Sequence, residues 1–260
     1  MPHATLNGQK IWYEDTGGSG PPVLWSHGFL MDREMFAPNI EALSPRYRSI
    51  AWDQRGFGKT GPASGPFTYW DSARDALALL DHLGIPSAVL VGMSQGGFLS
   101  MRAALLEPRK VKALGLIDTR SGLDAREVIE SFHGLRQEWL ANGCANLKGM
   151  LAELLMGKGY DPAPWIAKWE KIPRESMGWP TDALASRDDI TPRLGEIACP
   201  AIVFHGDADI AIEIAHGEAL ARALPNCKGF VRVPGAGHAP NLTHPQWVNP
   251  PLADFLARYA

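Results

Sequence analysis

The sequence has little of what marks disulfide-stabilised, membrane-spanning or nucleic-acid-binding proteins. Its 260 residues include only three cysteines, Cys144, Cys199 and Cys227. An odd number with no close pair excludes a disulfide framework and a C-x-x-C metal or redox motif. No apolar run approaches the roughly 18 residues that a membrane span requires. The formal net charge is −3, so the charges predict no basic surface for nucleic acid or anionic lipid.

The N-terminal residues lack the basic segment and apolar core of a secretory signal peptide. Because the cysteines are also unpaired, we expect a cytoplasmic protein. Its expected partner is a small-molecule substrate, with no nucleic acid and no membrane, and the sequence does not define an oligomeric state.

Short apolar strands alternate with helices through most of the chain. Continuous apolar runs such as 88–91 and 113–117 predict strands that are covered on both faces, and therefore a mostly parallel sheet. From residue 120 to about 195 the sequence shows helical segments and no convincing strand, and the alternation resumes at 201–204. We therefore predict an α/β core of residues 1–119 and 196–260, interrupted by a helical cap of residues 120–195.

The strongest chemical signal is the segment Gly92-Met-Ser94-Gln-Gly-Gly97. It follows a predicted strand and opens a predicted helix, which is the context of a G-x-S-x-G nucleophile elbow. Small residues on both sides allow the backbone to turn sharply, so that the hydroxyl of Ser94 projects away from the sheet. We predict that Ser94 is a nucleophile.

A serine nucleophile requires a base, and the base requires an acid that fixes its tautomer. His238 lies in a Gly- and Pro-rich loop after the last predicted strand and is the candidate base. The strand at 201–204 leads into Asp207 and Asp209, and we favour Asp209 as the acid because Asp207, directly after a glycine, suits a turn. Asp118, at the end of the preceding strand, is a third candidate.

Two main-chain N–H groups are expected to stabilise the oxyanion. One belongs to Gln95, which follows the nucleophile, and the other to Phe29, in the loop after the first apolar strand. We interpret His27 as a structural residue that braces this loop.

These blocks together resemble the α/β-hydrolase superfamily along nearly the whole chain. The matching segments are 26–29, 53–58, 92–97, 205–209 and 235–238. The resemblance implies an eight-stranded, mostly parallel sheet with helices on both faces and a helical cap after the sixth strand. It also implies that Ser94, Asp209 and His238 form a triad, with Phe29 and Gln95 as oxyanion donors. One departure is Asn249-Pro-Pro251, where we expect the prolines to reset the start of the last helix.

The predicted cap is rich in tryptophan, which fits either packing of a small lid or an aromatic substrate pocket. The pocket candidates are Leu30, Met93, Trp139, Trp165 and Trp179. The near-neutral charge and the lack of a cationic cluster favour an uncharged, fairly apolar substrate. We expect neither metal nor cofactor: the Gly56-to-Thr60 segment lacks the first glycine of a phosphate-binding loop, and residues 207–212 lack the glycine of a calcium loop.

The preferred function is hydrolysis of a small to medium carboxylic ester or lactone through an acyl-enzyme on Ser94. Hydrolysis of a carbon–carbon bond and a perhydrolase or cofactor-free haloperoxidase activity remain alternatives, because a fold and a triad do not define a substrate. A non-catalytic ligand receptor is disfavoured because all three triad residues are present. Epoxide hydrolysis and dehalogenation are disfavoured because the elbow residue is serine.

Overall fold

A computed structural model describes residues 3–260, which form an eight-stranded sheet flanked by helices. The strands are β1 (His3–Leu6), β2 (Gln9–Asp15), β3 (Pro22–Ser26), β4 (Arg48–Asp53), β5 (Ala88–Met93), β6 (Val111–Ile117), β7 (Ala201–Gly206) and β8 (Cys227–Val233). Their order in the sheet is β1-β2-β4-β3-β5-β6-β7-β8. The pairs β1/β2 and β2/β4 are antiparallel and all other pairs are parallel. The predicted mostly parallel sheet is confirmed.

Ten α-helices accompany the sheet in the described part of the chain. They are α1 (Ala37–Leu43), α2 (Tyr69–His82), α3 (Gln95–Leu106), α4 (Arg126–Asn142), α5 (Lys148–Met156), α6 (Ala163–Trp169), α7 (Gly178–Ala185), α8 (Ile214–Ala223), α9 (Pro240–Thr243) and α10 (Pro245–Tyr259). Within residues 3–260, no helix has both the length and the hydropathy needed to cross a membrane.

The apolar strands form two hydrophobic clusters, one on each face of the sheet. Neighbouring residues of a strand join opposite clusters: Trp25 and Val91 belong to one, Leu24 and Leu90 to the other. Successive side chains of a strand point to opposite faces, so a strand that is covered on both sides must be apolar at every position. This explains the continuous apolar runs of the sequence.

The segment between β6 and β7, residues 118–200, contains helices and no strand, and the predicted cap of residues 120–195 falls within it. We call it the insertion. Its α-helices are α4, α5, α6 and α7. The insertion is fastened to the core by Lys168, whose Nζ lies 2.8 Å from Asp32 and 2.7 Å from Glu34.

The prediction for the last helix was wrong. Helix α10 begins at Pro245 and runs through Pro250 and Pro251. Each proline removes one N–H donor from the helix, which leaves the carbonyls of Gln246 and Trp247 without their usual partners. Both of these residues are exposed, so water can satisfy the carbonyls and the helix continues.

The N-terminal cap of helix α2 should contribute to the stability of the protein. The Thr68 hydroxyl accepts from the N–H of Asp71, and the Asp71 carboxylate accepts from the N–H of Thr68 at 2.8 Å. We expect Thr68→Ala to lower the free energy of unfolding by about 1 kcal/mol, because it leaves a helix N–H unpaired. Thr68→Ser retains the oxygen and should stay close to wild type in chemical denaturation. Equal stabilities of the two variants would contradict this assignment.

Candidate active site

Ser94 occupies a strained turn between β5 and α3. Its backbone has φ +51° and ψ −115°, a conformation that side-chain-bearing residues rarely adopt. Neighbouring segments hold it there. Its N–H donates to the carbonyl of Ile117 at 2.9 Å, and its carbonyl accepts from the Thr119 hydroxyl at 2.8 Å.

Glycines around the turn are required by close backbone approach. A Cβ at Gly96 would collide with the carbonyl of Ser26 at the end of β3, and a Cβ at Gly97 would collide with the side chain of Thr119. The start of α3 therefore packs directly against the ends of the two strands that flank β5. This contact fixes where Ser94 lies relative to the loop that follows β3.

His238 and Asp209 come together in the loops that follow β8 and β7. The Nδ1 of His238 lies 2.8 Å from Oδ2 of Asp209. The other oxygen, Oδ1, accepts from the N–H groups of Ala211 at 2.8 Å and Ile212 at 3.0 Å. Burial opposes ionisation of Asp209, but the charge of His238 and the hydrogen bonds outweigh it and hold the pKa of Asp209 well below its usual range. Asp209 is therefore a stable anion beside the imidazole.

His205 is a buried neighbour that sequence reasoning did not assign to the site. Its Nε2 lies 2.8 Å from the carbonyl of Ile212 and 3.4 Å from Oδ2 of Asp209. It thus connects Asp209 to the loop that donates to the same carboxylate. The position at the end of β7, just before the two predicted acids, is the only signal that could have indicated it.

Ser94 and His238 line one cavity of about 240 Å³ between the core and the insertion. Most of its wall is apolar and comes from core loops and from α4 and α5. The apolar residues are Phe29, Leu30, Phe98, Val128, Phe132, Leu135, Leu151, Leu154, Leu155, Leu184, Ile210, Ala211 and Ile212. Among the described residues, no hydrogen bond joins the Ser94 hydroxyl to His238. Hydrogen bonds of this kind are often long in the absence of substrate and shorten when it binds.

The two other candidate acids have different environments. Asp207 is exposed and accepts from the N–H of Gly235 at 2.7 Å, as a turn residue does. Asp118 is fully buried next to Asp209, and its Oδ1 accepts from the N–H of Gly206 at 2.9 Å. Burial, reinforced by the charge of Asp209 and a hydrogen bond to it, raises the pKa of Asp118 well above its ordinary value. Asp118 is thus neutral where Asp209 is ionised.

Carboxylate and imidazole atoms of Asp118, Asp209 and His238 lie within 4.8 Å of one another. This spacing alone would allow a metal ion. The Nδ1 of His238 is already in direct 2.8 Å contact with Asp209, so a metal ion bound between these two atoms would have to replace that hydrogen bond.

Two main-chain donors near Ser94 are free. In residues 3–260, the N–H groups of Phe29 and Gln95 have no hydrogen-bond acceptor. The loop of Phe29 is strained at Leu30, whose φ is +60°, and the Trp169 indole of the insertion donates to the Leu30 carbonyl at 2.6 Å. The insertion therefore helps to hold the loop that carries one donor.

His27 connects the same loop to the residues that follow β4. It is fully buried, its Nδ1 lies 2.7 Å from the Gly28 carbonyl, and its Nε2 accepts from the N–H of Gln54 at 2.9 Å. Burial lowers the pKa of His27, so the ring is a neutral imidazole that donates through Nδ1.

Only one of the five predicted pocket residues lines the cavity that contains Ser94. Leu30 lines it, whereas Met93 and Trp139 are buried in the core. Trp165 lines a separate cavity of about 370 Å³ that contains no residue of the predicted triad, and Trp179 is 43% exposed. The positions of these side chains depend on tertiary packing, which cannot be inferred from the number of tryptophans.

Sequence reasoning missed several polar and apolar residues of the wall. Val128, Phe132 and Leu135 line the cavity from one face of α4, and their spacing on a helix was a usable signal. Arg187 and Asp124 also line the cavity, and neither stands in a recognisable motif.

Comparison with known proteins gives consistent matches over nearly the whole chain. A family model described as "alpha/beta hydrolase fold" matches residues 21–245. A Synechocystis protein named as a candidate non-heme chloroperoxidase is 28% identical, covering 98% of this chain and 100% of that protein. The esterase of Thermogutta terrifontis is 28% identical with a TM-score of 0.88, covering 98% of this chain and 97% of that one. The enol-lactonase of Burkholderia xenovorans is 25% identical with a TM-score of 0.90, covering 98% and 100%.

The raised pKa of Asp118 should make stability depend on pH. Above about pH 4, the unfolded chain releases the Asp118 proton that the folded chain retains, so this residue's contribution to stability falls as pH rises toward its folded pKa. Asp118→Asn removes that dependence. We expect the free energy of unfolding of the variant, relative to wild type, to increase by up to about 1.4 kcal/mol per pH unit over this range.

Denaturation of both proteins from pH 4 to 8 measures this difference. Asp254→Asn, at an exposed position on α10, is the control. Its free energy of unfolding should change with pH in the same way as that of wild type. Parallel curves for Asp118→Asn would show that Asp118 is ionised in the folded protein.

Proposed function

The chain belongs to the alpha/beta hydrolase fold family, and we propose that it is a serine hydrolase that cleaves a carboxylic ester or lactone through an acyl-enzyme on Ser94. One observation carries the proposal. Ser94, on a strained strand-to-helix turn, lines the same cavity as His238, whose Nδ1 lies 2.8 Å from Asp209.

In the proposed first step, the Ser94 oxygen attacks the carbonyl carbon and His238 takes the hydroxyl proton on Nε2. The Nδ1–H of His238 donates to Asp209 throughout, which selects the tautomer that leaves Nε2 free. The lowered pKa of Asp209 supports this role, because a permanent anion stabilises the imidazolium as it forms.

The free N–H groups of Phe29 and Gln95 are the proposed donors to the oxyanion. Such a donor typically contributes about 3 kcal/mol to transition-state stabilisation. When the tetrahedral intermediate collapses, His238 gives its proton to the departing alcohol oxygen and the acyl group stays on Ser94. Water then attacks the acyl-enzyme by the same steps, with His238 as base, and the acid is released.

The cavity supports a substrate of limited size with an apolar body. Its volume of about 240 Å³ lies below the usual range for drug-sized ligands, and most of its wall is hydrocarbon. A small to medium ester or lactone fits these limits.

A second candidate is perhydrolysis, which the chloroperoxidase name of one relative favours. Hydrogen peroxide would replace water in the attack on the acyl-enzyme, and a peracid would leave instead of an acid. The two candidates share every step up to the acyl-enzyme, so they differ only in the second nucleophile.

The decisive test is turnover of p-nitrophenyl esters with acyl chains of two to eight carbons, together with labelling by an organophosphonate. We expect hydrolysis and a single label on Ser94, both abolished in Ser94→Ala. Wild-type protein that neither turns over any ester nor is labelled at Ser94 would refute the proposal. Adding hydrogen peroxide and assaying peracid formation measures the perhydrolase candidate in the same experiment.

Among the acids at the ends of β6 and β7, Asp209 should have the largest effect on rate. We expect Asp209→Asn to lower kcat by about 10⁴-fold, because the amide favours the wrong tautomer of His238. Asp207→Asn is the matched control two residues away and should retain activity within a few-fold. Full activity of Asp209→Asn would assign the catalytic acid to another residue.

A further inference from the structure

We propose that Arg187 forms an anion-binding subsite in the Ser94 cavity, and that the natural substrate carries a carboxylate in addition to the bond that is cleaved. The inference rests on the proposed hydrolase function and names its substrate class. It departs from the uncharged substrate that the overall composition favours.

Arg187 lies just after α7 and reaches the cavity wall from the insertion. Its side chain is 2% exposed, yet it lines the same cavity as Ser94 and His238. The guanidinium carbon lies 3.9 Å from the ring centroid of Phe98, another wall residue. The aromatic face holds the cation in place and leaves it beside the space that a substrate would fill.

The buried charges around Arg187 do not balance. Its Nη2 lies 2.9 Å from Asp124, and Arg120 Nη1 lies 3.0 Å from the other oxygen of the same carboxylate. One carboxylate therefore serves two guanidinium groups. The neighbouring buried Arg102 has its own partner in Asp188, and the exposed Asp189 accepts from the N–H of Thr191. One positive charge of the cluster has no hydrogen-bonded counter-charge.

Arg187 also has unused donor capacity. Its Nη2 donates to Asp124 and to the Gly122 carbonyl, whereas its Nε is buried with no acceptor in the described residues. Burial, with repulsion from Arg120 and Arg102, lowers the pKa of Arg187, as expected for a cation that is only partly compensated. A ligand carboxylate in the cavity would supply the counter-charge that the cluster lacks.

Asp124 lines the cavity as well, but it does not cancel this effect because both arginines hold it. The rest of the wall is mostly apolar. The site therefore fits a short hydrocarbon chain with the ester or lactone carbonyl at Ser94 and an anionic group at Arg187.

The test compares mono-p-nitrophenyl esters of linear dicarboxylic acids, four to eight carbons long, with the same esters whose free acid is capped as a methyl ester. The measured quantity is the ratio of kcat/KM for the charged and the capped substrate at each length. We expect the wild-type ratio to exceed 10 at the best length. Arg187→Met should lower that ratio by about 10- to 100-fold, the effect of losing a hydrogen bond between charged groups, and Arg187→Lys should restore part of it.

Arg126→Met is the control. It removes one unit of positive charge from an exposed position of the insertion, outside the cavity wall and the buried cluster, and it should change the ratio less than threefold. A wild-type ratio near 1 would overturn the inference even if Arg187→Met did not fold. Equal losses on both substrates in Arg187→Met, with the ratio unchanged, would also overturn it, since they indicate a structural role.

A binding measurement separates this inference from the proposed function. Calorimetric titration of Ser94→Ala with monomethyl adipate should show binding that dimethyl adipate lacks and that the additional change Arg187→Met abolishes. Binding of this kind without any ester turnover by the wild type would refute the hydrolase and retain the anion subsite. Ester turnover with no preference for the anion in either assay would refute the anion subsite and retain the hydrolase.

Discussion

The strained turn at Ser94 is the constraint on which the rest of the site depends. A positive φ at a serine is unfavourable, and it persists because the residues around it leave no alternative. Gly96 contacts the end of β3 and Gly97 contacts Thr119 beyond β6, so the helix that begins here is fixed against both neighbouring strands. The loop after β3 carries the free N–H of Phe29, and the same contacts therefore set the distance between Ser94 and this proposed oxyanion donor.

The parallel sheet supplies the remaining groups by bringing strand ends to one edge. Asp118 follows β6, Asp209 follows β7 and His238 follows β8, and the three meet although they are far apart in sequence. Two carboxylates at such close range cannot both ionise. Asp209 receives two N–H groups and the imidazole, whereas Asp118 receives one N–H, from Gly206. The negative charge therefore resides on Asp209, and Asp118 keeps its proton.

This asymmetry marks the limit of what the sequence could predict. Glycine spacing, apolar runs and chain order were enough to predict the sheet and to propose Ser94, His238 and a choice of acids, because these features are local. The sequence favours Asp209 among the three candidate acids, but the hydrogen bonds that give Asp209 and Asp118 different charges depend on the folded loops. The cavity wall was the least predictable part, since it depends on how the helices of the insertion pack. Trp139, which the sequence suggested for the pocket, is buried in the core, whereas Arg187, which belongs to no recognisable motif, lines the cavity.

The insertion has two parts that differ in their contacts with the proposed catalytic groups. Helix α6 is bonded to the loop that carries the proposed oxyanion donor Phe29. The Trp169 indole donates to the Leu30 carbonyl, and Lys168 pairs with Asp32. Helix α4 contributes cavity wall, but Trp139 is its only buried residue. Movement of α6 would disturb a proposed oxyanion donor, whereas changes in α4 would reshape the pocket alone. Substrate preference can therefore diverge through α4 while the groups around Ser94 stay in place.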